Sequence, residues 1–453
     1  MSNQLLFSVA GARGIVGKTI DADVVTRLTL AYCATLPRGP VVVGRDTRPS
    51  GESFMHSVMG AVMASGRDVI DLGIATTPTT ELITERTDAV GGIVVTASHN
   101  PVQWNALKFL DRRGIFITKD VSDRLLTAYH ENRFQFADGA HIGKRRRYDH
   151  AAQEHIDAIL ALDVIDAEKI RSRRFTVVLD CINGAGSVIA PQLLETLGVR
   201  MIPLNCDDDG NFYRDPEPTP ANLSDLIEAV KKSDADLGLA TDPDADRLAL
   251  VTGHATARAI SEEYTLAFAI DQVATRARGD VVVNLSTSGW VDHVANKHGL
   301  RVHRTPVGEA HVVSRMLKEK AVIGGEGNGG VILPALHPGR DAMVGMALIL
   351  QFLAETGITL DEAARRYPPL TITKAKVALA GAFSPERISN ALGAMNPVNI
   401  DREDGVKAIF ADGWIHLRVS NTEGVVRVIA EGPSQERVAA LQKDARAALE
   451  ASW

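Results

Sequence analysis

Three aspartates alternate in the stretch TDPDADR, residues 241 to 247: Asp242, Asp244 and Asp246. Pro243 opposes a helix, so an extended or looped backbone sends the three carboxylates to one side. Carboxylates gathered this closely repel one another unless a cation neutralises them, and an all-oxygen set suits magnesium better than zinc. An acidic surface loop is the plainer alternative. The flanking DLGLA and LALVTG read as apolar strands, which favours the metal, with Arg247 as a fixed positive charge beside it. In TASHNP, residues 96 to 101, Ser98 follows the apolar run GGIVVT. It stands at the end of a buried strand, in a turn that Asn100 and Pro101 enforce. A serine presented in this way is a nucleophile, a phosphate carrier, or simply a turn residue.

Two further stretches suit ligands. In GGEGNGG, residues 324 to 330, glycines around Glu326 and Asn328 leave backbone amides and two polar side chains free to approach a hydroxylated molecule. In RVSNTEGVVR, residues 418 to 427, Arg418, Ser420, Asn421, Thr422 and Arg427 form a donor set suited to a phosphate dianion, or equally a hairpin with exposed arginines. GARGIVGKT, residues 11 to 19, has the spacing of a loose nucleotide-binding loop ending in Gly17, Lys18 and Thr19. In such a loop the Gly-Lys-Thr already begins the helix. Here Asp21 is the better N-cap, ahead of ADVVTRLTLAYCATL, which leaves Lys18 and Thr19 outside.

The elements that must position these residues follow one grammar. PVVVGRDTRPSG, FTVVLDCINGAG and GDVVVNLSTSG each read as a short β-branched strand breaking into a glycine-containing loop, followed by a segment of helical spacing. This is α/β architecture repeated three times. Boundaries are expected near residues 138 to 150, 251 to 260 and 364 to 373, and the basic run Lys144 to Arg147 reads as a solvated turn between domains. Beyond about residue 370 the alternating strands and a final helix from Ser434 form a small α+β domain. The chain's 453 residues exceed a single core, and two to four domains, each with its own core, are the expectation. A net charge of -7 gives no reason to expect nucleic-acid binding. Cys33, Cys181 and Cys206 are widely spaced and lie in or beside apolar runs, as buried thiols in a reducing compartment do. The N-terminus lacks a secretory pattern and the apolar run from 344 to 354 is too short to span a bilayer; a cytoplasmic protein is expected.

Taken in order, GARGIVG, GRDTRPSG, TASHNP, DPDADR, GEGNGG and RVSNTEG resemble the motifs of the α-D-phosphohexomutases, the phosphoglucomutase and phosphomannomutase group, nearly end to end. The resemblance implies an α/β protein of four domains around a central active-site cleft. Three similar mixed α/β domains would carry the phosphoserine loop (1–148), the magnesium loop (149–252) and the sugar-binding loop (253–367), with a smaller C-terminal α+β phosphate-binding domain (368–453). It implies an isomerase that interconverts hexose 6-phosphate and hexose 1-phosphate through phospho-Ser98 and a hexose 1,6-bisphosphate, which also serves as activator. Ser98, through its phosphate, would coordinate Mg2+ with Asp242, Asp244 and Asp246. Arg13, given room by Gly11 and Gly14, and Arg247 would stabilise the transferring group, and Lys108 resembles the family's general acid/base. Glu326 and Asn328 would meet sugar hydroxyls, while Arg418, Ser420, Asn421, Thr422 and Arg427 would hold the phosphate that is not reacting.

Several positions depart from the pattern, among them Val419 and Gly424, which stand in the phosphate loop where prolines are usual. Ala106 stands where glycine is usual. The sugar loop, which in many members ends serine-glycine-histidine, reads Asn328, Gly329, Gly330, a form associated with archaeal-type phosphoglucosamine mutases and their bacterial relatives. Phosphoglucosamine mutase is therefore the leading expectation, and phosphomannomutase/phosphoglucomutase the alternative. From other classes come a P-loop NTPase using Lys18 and Thr19, and a serine phosphatase-like hydrolase in which water attacks phospho-Ser98. The expected partner is a phosphosugar, with no nucleic acid and no membrane, and the protein a monomer or homodimer.

Overall fold

In a computed structural model of the chain, residues 5–9, 11–378, 383–420 and 425–450 are described. Their strands form four sheets, and the first three share a core of one design. In the first, Trp104–Asp111, Gly91–Val95, Val41–Arg45 and Val69–Ile74 lie side by side; in the second, Leu248–Thr252, Leu237–Thr241, Thr176–Asp180 and Arg200–Leu204; in the third, Gly330–Leu333, Ile323–Glu326, Val281–Asn284 and Val302–Thr305. Each time the last three strands of the set are parallel and the first returns antiparallel. The β-branched runs read from the sequence supply the central parallel strand, buried on both faces as helices cover the sheet.

The consequence for the site is topological. The loop between the second and first strand of each set is a hairpin connection at the carboxyl end of a parallel strand. Those connections are residues 96–103, 242–247 and 327–329, the serine, aspartate and glycine-rich loops. In the fourth sheet all strands are antiparallel, in the order Thr371–Ala378, Val425–Gly432, Gly413–Val419, Val406–Phe410, Asn399–Asp401, with helices Pro385–Gly393 and Gln435–Glu450 against it. The start of its RVSNTEG segment, Arg418 and Val419, closes strand Gly413–Val419. Ligand groups at the carboxyl ends of strands are the general pattern of α/β sheets.

Three details differ from or refine the sequence reading. The second and third units do not bury separate cores. Helix Ala342–Thr356, buried from Ala342 to Ala354, packs into both and makes one continuous apolar cluster. Arg145–Arg147 is not a solvated turn but an edge strand paired with Val69–Ile74, where Arg145 and Arg147 ion-pair with the buried Asp71 and Arg146 with Asp88. A buried carboxylate on the neighbouring strand requires those cations. Helix Ala22–Thr35 starts at Asp21, whose side chain accepts the Val24 N–H at 2.9 Å, and Lys18 and Thr19 lie in the turn before it. No helix among the described residues is long and apolar enough to cross a membrane.

Candidate active site

Ser98 sits in the left-handed region at φ 48, uncommon for any residue but glycine. The surrounding loop holds it there. Its N–H donates to Thr96 Oγ1 at 2.9 Å, and its carbonyl accepts from the Arg48 guanidinium, which also donates to the carbonyls of Asn100 (2.6 Å), Pro101 (2.8 Å) and Trp104 (3.1 Å). Arg48 is fully buried on Asp46, with Nε 3.0 Å from Oδ2. The turn ascribed to Asn100 and Pro101 is thus enforced chiefly by an arginine of GRDTRPSG that no local pattern singles out. Ser98 Oγ donates to Asp242 Oδ2 at 2.8 Å and lies 3.2 Å from His99 Nδ1. Burial, with the charges of Arg247 and Arg13, holds His99 well below the ordinary histidine range, so its imidazole is neutral.

Asp242, Asp244 and Asp246 are fully buried, and one ligand atom from each lies within 4.8 Å of the others. Each has one oxygen pinned by the protein. Asp242 Oδ1 accepts the N–H groups of Asp246 and Arg247, both at 3.1 Å. Asp244 Oδ2 accepts from Thr77 Oγ1 (2.6 Å) and Lys108 Nζ (2.7 Å). Asp246 Oδ2 accepts from Arg340 Nη2 at 2.6 Å. The other oxygens are left over: Asp242 Oδ2 turns to Ser98, while Asp244 Oδ1 and Asp246 Oδ1 are buried with no hydrogen-bond partner. Orphaned buried carboxylate oxygens are costly unless a cation meets them. Three carboxylates, each with one oxygen turned to the cluster, that of Asp242 shared with Ser98 Oγ, fit a small octahedral cation such as Mg2+.

The charges around the loop agree. Burial and the two neighbouring aspartates push the Asp242 carboxyl well above the usual carboxylate range. Burial also opposes the charge on Asp244, but Lys108 outweighs it and holds that carboxyl below the range. Lys108 is in turn raised above the ordinary lysine range by Asp244 and Asp246 against the cost of burial, so in this arrangement it is an ammonium. Arg247 Nε is 3.7 Å from Asp246 Oδ1 and its Nη1 3.3 Å from Glu217 Oε1. Arg13, on strand Gly11–Ile15, donates to Asn100 Oδ1 at 3.3 Å, which brings it to the serine loop. Gly11 at φ 143 permits this strand to pair closely, since a Cβ there would overlap the Leu107 carbonyl.

The glycine-rich loop joins the same cluster. Glu326 Oε1 accepts from Asn284 Nδ2 (2.9 Å) and the Gly308 N–H (3.0 Å), and Oε2 from Arg340 Nη1 (2.6 Å) and Asn328 Nδ2 (3.4 Å). Burial would raise this carboxyl, but Arg340 and the Asn284 hydrogen bond prevail and keep it below the usual range. Lys374, from the C-terminal sheet, reaches the loop too, with Nζ 2.7 Å from the Gly327 carbonyl, 2.8 Å from Glu262 Oε1 and 2.9 Å from Glu263 Oε1. In the C-terminal unit Arg418 and Arg427 stand directly opposite across two antiparallel strands, and Lys376 opposite Arg427, so the three cations share one face. Like charges in direct opposition repel, and an anion offsets that repulsion. Arg418 Nε is held 2.8 Å from Asp404 Oδ2, and the buried Ser420 donates its N–H to the Val425 carbonyl at 2.9 Å. Asn421 and Thr422 lie outside the described residues.

Four sequence profiles match in succession: Phosphoglucomutase/phosphomannomutase, alpha/beta/alpha domain I over residues 4–136, domain II over 153–255, domain III over 261–370, and the C-terminal domain over 373–448. The chain belongs to the phosphoglucomutase/phosphomannomutase family. A phosphoglucomutase/phosphomannomutase of Thermococcus kodakarensis is 36% identical over 440 residues, which is 95% of each chain. A Methanopyrus kandleri protein named "Probable phosphoglucosamine mutase" is 33% identical over 97% of this chain and 96% of its own. Among solved structures, a phosphoglucomutase/phosphomannomutase family protein from Burkholderia thailandensis superposes with a TM-score of 0.84 at 28% identity, covering 98% of this chain and 96% of that one.

Membership makes the chain a phosphohexomutase, an isomerase that acts as an intramolecular phosphotransferase. The structure brings Ser98, Lys108, Arg13, Arg247, Glu326, Asn328 and the three aspartates into one cluster of contacts, in which Arg48, His99, Thr77, Asn284 and Arg340 also take part. His99 lies inside a motif already quoted, yet its role depends on the distance to Ser98 Oγ and not on sequence spacing. Arg340 bonds to Asp246 across 94 residues, a pairing that no local pattern carries.

Proposed function

We propose that this phosphohexomutase works through a phosphoserine at Ser98, with a hexosamine phosphate as its preferred substrate. The reading rests above all on Ser98 Oγ, 2.8 Å from Asp242 Oδ2 and beside buried carboxylate oxygens without partners. Asp242, Asp244 and Asp246 would hold Mg2+, which when bound supplies charge stabilisation for the phosphoryl group on Ser98. Arg13 and Arg247 add positive charge on the remaining sides, and Arg48 keeps the serine loop rigid. In the forward half-reaction the phosphorus–oxygen bond to Ser98 breaks as one to a sugar hydroxyl oxygen forms, giving a hexose bisphosphate. The proton lost by the sugar hydroxyl is matched by one gained at Ser98 Oγ: Lys108, arriving protonated, gives a proton and His99, arriving neutral, accepts one, and exchange between them restores both. After the bisphosphate turns over, its other phosphoryl group returns to Ser98 by the same route. Arg418, Arg427 and Ser420, together with Asn421 and Thr422, hold the phosphate not in transfer. Net reaction is isomerisation without phosphate release.

For the sugar, Glu326 and Asn328 offer an ionised carboxylate and an amide, with Gly330 where an imidazole stands in many members, and this suits a substrate carrying an ammonium at carbon 2. The name of the 33% identical relative points the same way. A phosphoglucomutase/phosphomannomutase activity is the second reading, supported by the name of the 36% identical relative. The test is turnover of glucosamine, glucose and mannose phosphates by one preparation, with free phosphate followed in parallel. Glucosamine phosphate is expected to be turned over fastest, with little phosphate released. If it were the poorest of the three, the hexosamine assignment would fail, and steady phosphate release would mark a hydrolase.

A further inference from the structure

Arg340 is a buried guanidinium shared among three carboxylates from separate segments. Nη2 meets Asp246 Oδ2 at 2.6 Å, Nη1 meets Glu326 Oε2 at 2.6 Å, and Nε meets Glu309 Oε2 at 3.0 Å; its own N–H donates to Glu309 Oε1 at 3.0 Å. A planar fork fixed at three points cannot release one partner by rotating without straining the other two. It therefore ties the aspartate loop to the sugar loop as a rigid strut. Space for the strut comes from Gly330. A Cβ built there would overlap Arg340 Cδ and come within 3.1 Å of Cγ. Gly330 is not in the left-handed region, unlike Gly329 at φ 87, so the missing side chain answers a demand for volume and not for backbone freedom. Any side chain at 330, an imidazole included, and this arginine position exclude one another.

We propose that Arg340 is a positioning residue for the mutase reaction, and that Gly330 is its steric partner. It fixes Asp246 as a one-oxygen metal ligand and Glu326 as the sugar-facing carboxylate. By occupying Asp246 Oδ2 it leaves only Oδ1 for a metal, which imposes the single-oxygen coordination that Mg2+ accepts and denies the two-oxygen coordination that Ca2+ readily takes. The inference rests on reading the aspartate and glycine-rich loops as metal and sugar sites.

The test uses the full-length enzyme and three variants: Arg340→Gln removes the strut, Arg340→Lys keeps the charge without the fork, and Gly330→Ala displaces the arginine while deleting nothing. Calorimetric titration gives the affinities for Mg2+ and Ca2+, and steady-state kinetics give KM for hexose phosphate. In all three variants the Mg2+ to Ca2+ preference is expected to move toward Ca2+ by about tenfold, and KM to rise by about tenfold, the scale on which outer partners of metal ligands act. If both metals weaken equally, or if preference and KM match the wild type, the proposal is overturned. Should Arg340→Gln fail to fold, Gly330→Ala decides by the same readouts. A wild-type enzyme that a hexose bisphosphate cannot charge on Ser98 would remove the phosphoserine reading, yet the metal preference of the variants would still decide the role of Arg340.

Discussion

Arg13 and Lys18 lie five residues apart in a glycine-rich stretch, and only one of them approaches the reacting centre. Arg13 contacts Asn100 in the serine loop, while Lys18 is exposed in a turn outside the helix that a nucleotide would need. Arg13→Ala is expected to lower kcat/KM by about a hundredfold, the range for losing one preorganised group that stabilises transition-state charge. Lys18→Ala should leave it unchanged. Equal losses in both, measured under the same conditions, would return the nucleotide reading to contention. At this scale the residues that the structure gathers were largely legible, since serine, aspartate triplet and glycine-rich loop are contiguous strings. The buried arginines were not. Arginine is ordinarily exposed, so nothing local marks Arg48 or Arg340 as internal, and what assigns them is a set of partners distant in sequence.

The elements were legible where hydrophobic pattern decides them. Continuous β-branched runs mark parallel strands buried on both faces, and Asp21 marks a helix start. Strand order was not legible, because register between strands is set by long-range packing, and neither was the edge strand Arg145–Arg147, whose composition suggests solvent. The contact between the third and fourth units shows how a polar residue becomes internal. His416, fully buried on strand Gly413–Val419, donates from Nε2 to the Asp404 carbonyl at 2.6 Å and accepts at Nδ1 from Ser286 Oγ at 2.9 Å. Burial pulls its pKa down to about 4. The unfolded chain therefore binds a proton near pH 6.5 that the folded chain resists until about pH 4, so stability is complete above 6.5 and falls as pH drops through that window. The shift corresponds to about 3 kcal/mol. His416→Asn, which does not titrate in this range, should remove that component. Denaturant unfolding at pH 7 and pH 4 checks it: wild type is expected to lose more stability than the variant, and identical losses would contradict the argument.

Over the whole molecule, three hairpin connections at equivalent places in three similar sheets converge, and Lys374 of the fourth, antiparallel sheet reaches the glycine-rich one. The second and third units share a core through helix Ala342–Thr356, and the first is tied to the second by Thr77 on Asp244 and to the third by His337 on Glu85, 2.8 Å from Nδ1 to Oε2. The C-terminal unit is attached by polar contacts such as Lys374 to Glu262 and Glu263. Four domains were legible from the repeat of one grammar and the change in pattern near residue 370. The shared core was not, because a helix buried and mostly apolar on every side does not say which two sheets it lies between. In the proposed mechanism that convergence serves Ser98. The most direct measurement is intact-mass and peptide mass spectrometry of the full-length protein incubated with Mg2+ and a hexose 1,6-bisphosphate, beside Ser98→Ala. One phosphoryl group is expected on the Ser98 peptide of the wild type, removed on adding excess hexose monophosphate, and none on the variant. A wild type that stays unmodified at Ser98 while still interconverting hexose phosphates would contradict the mechanism.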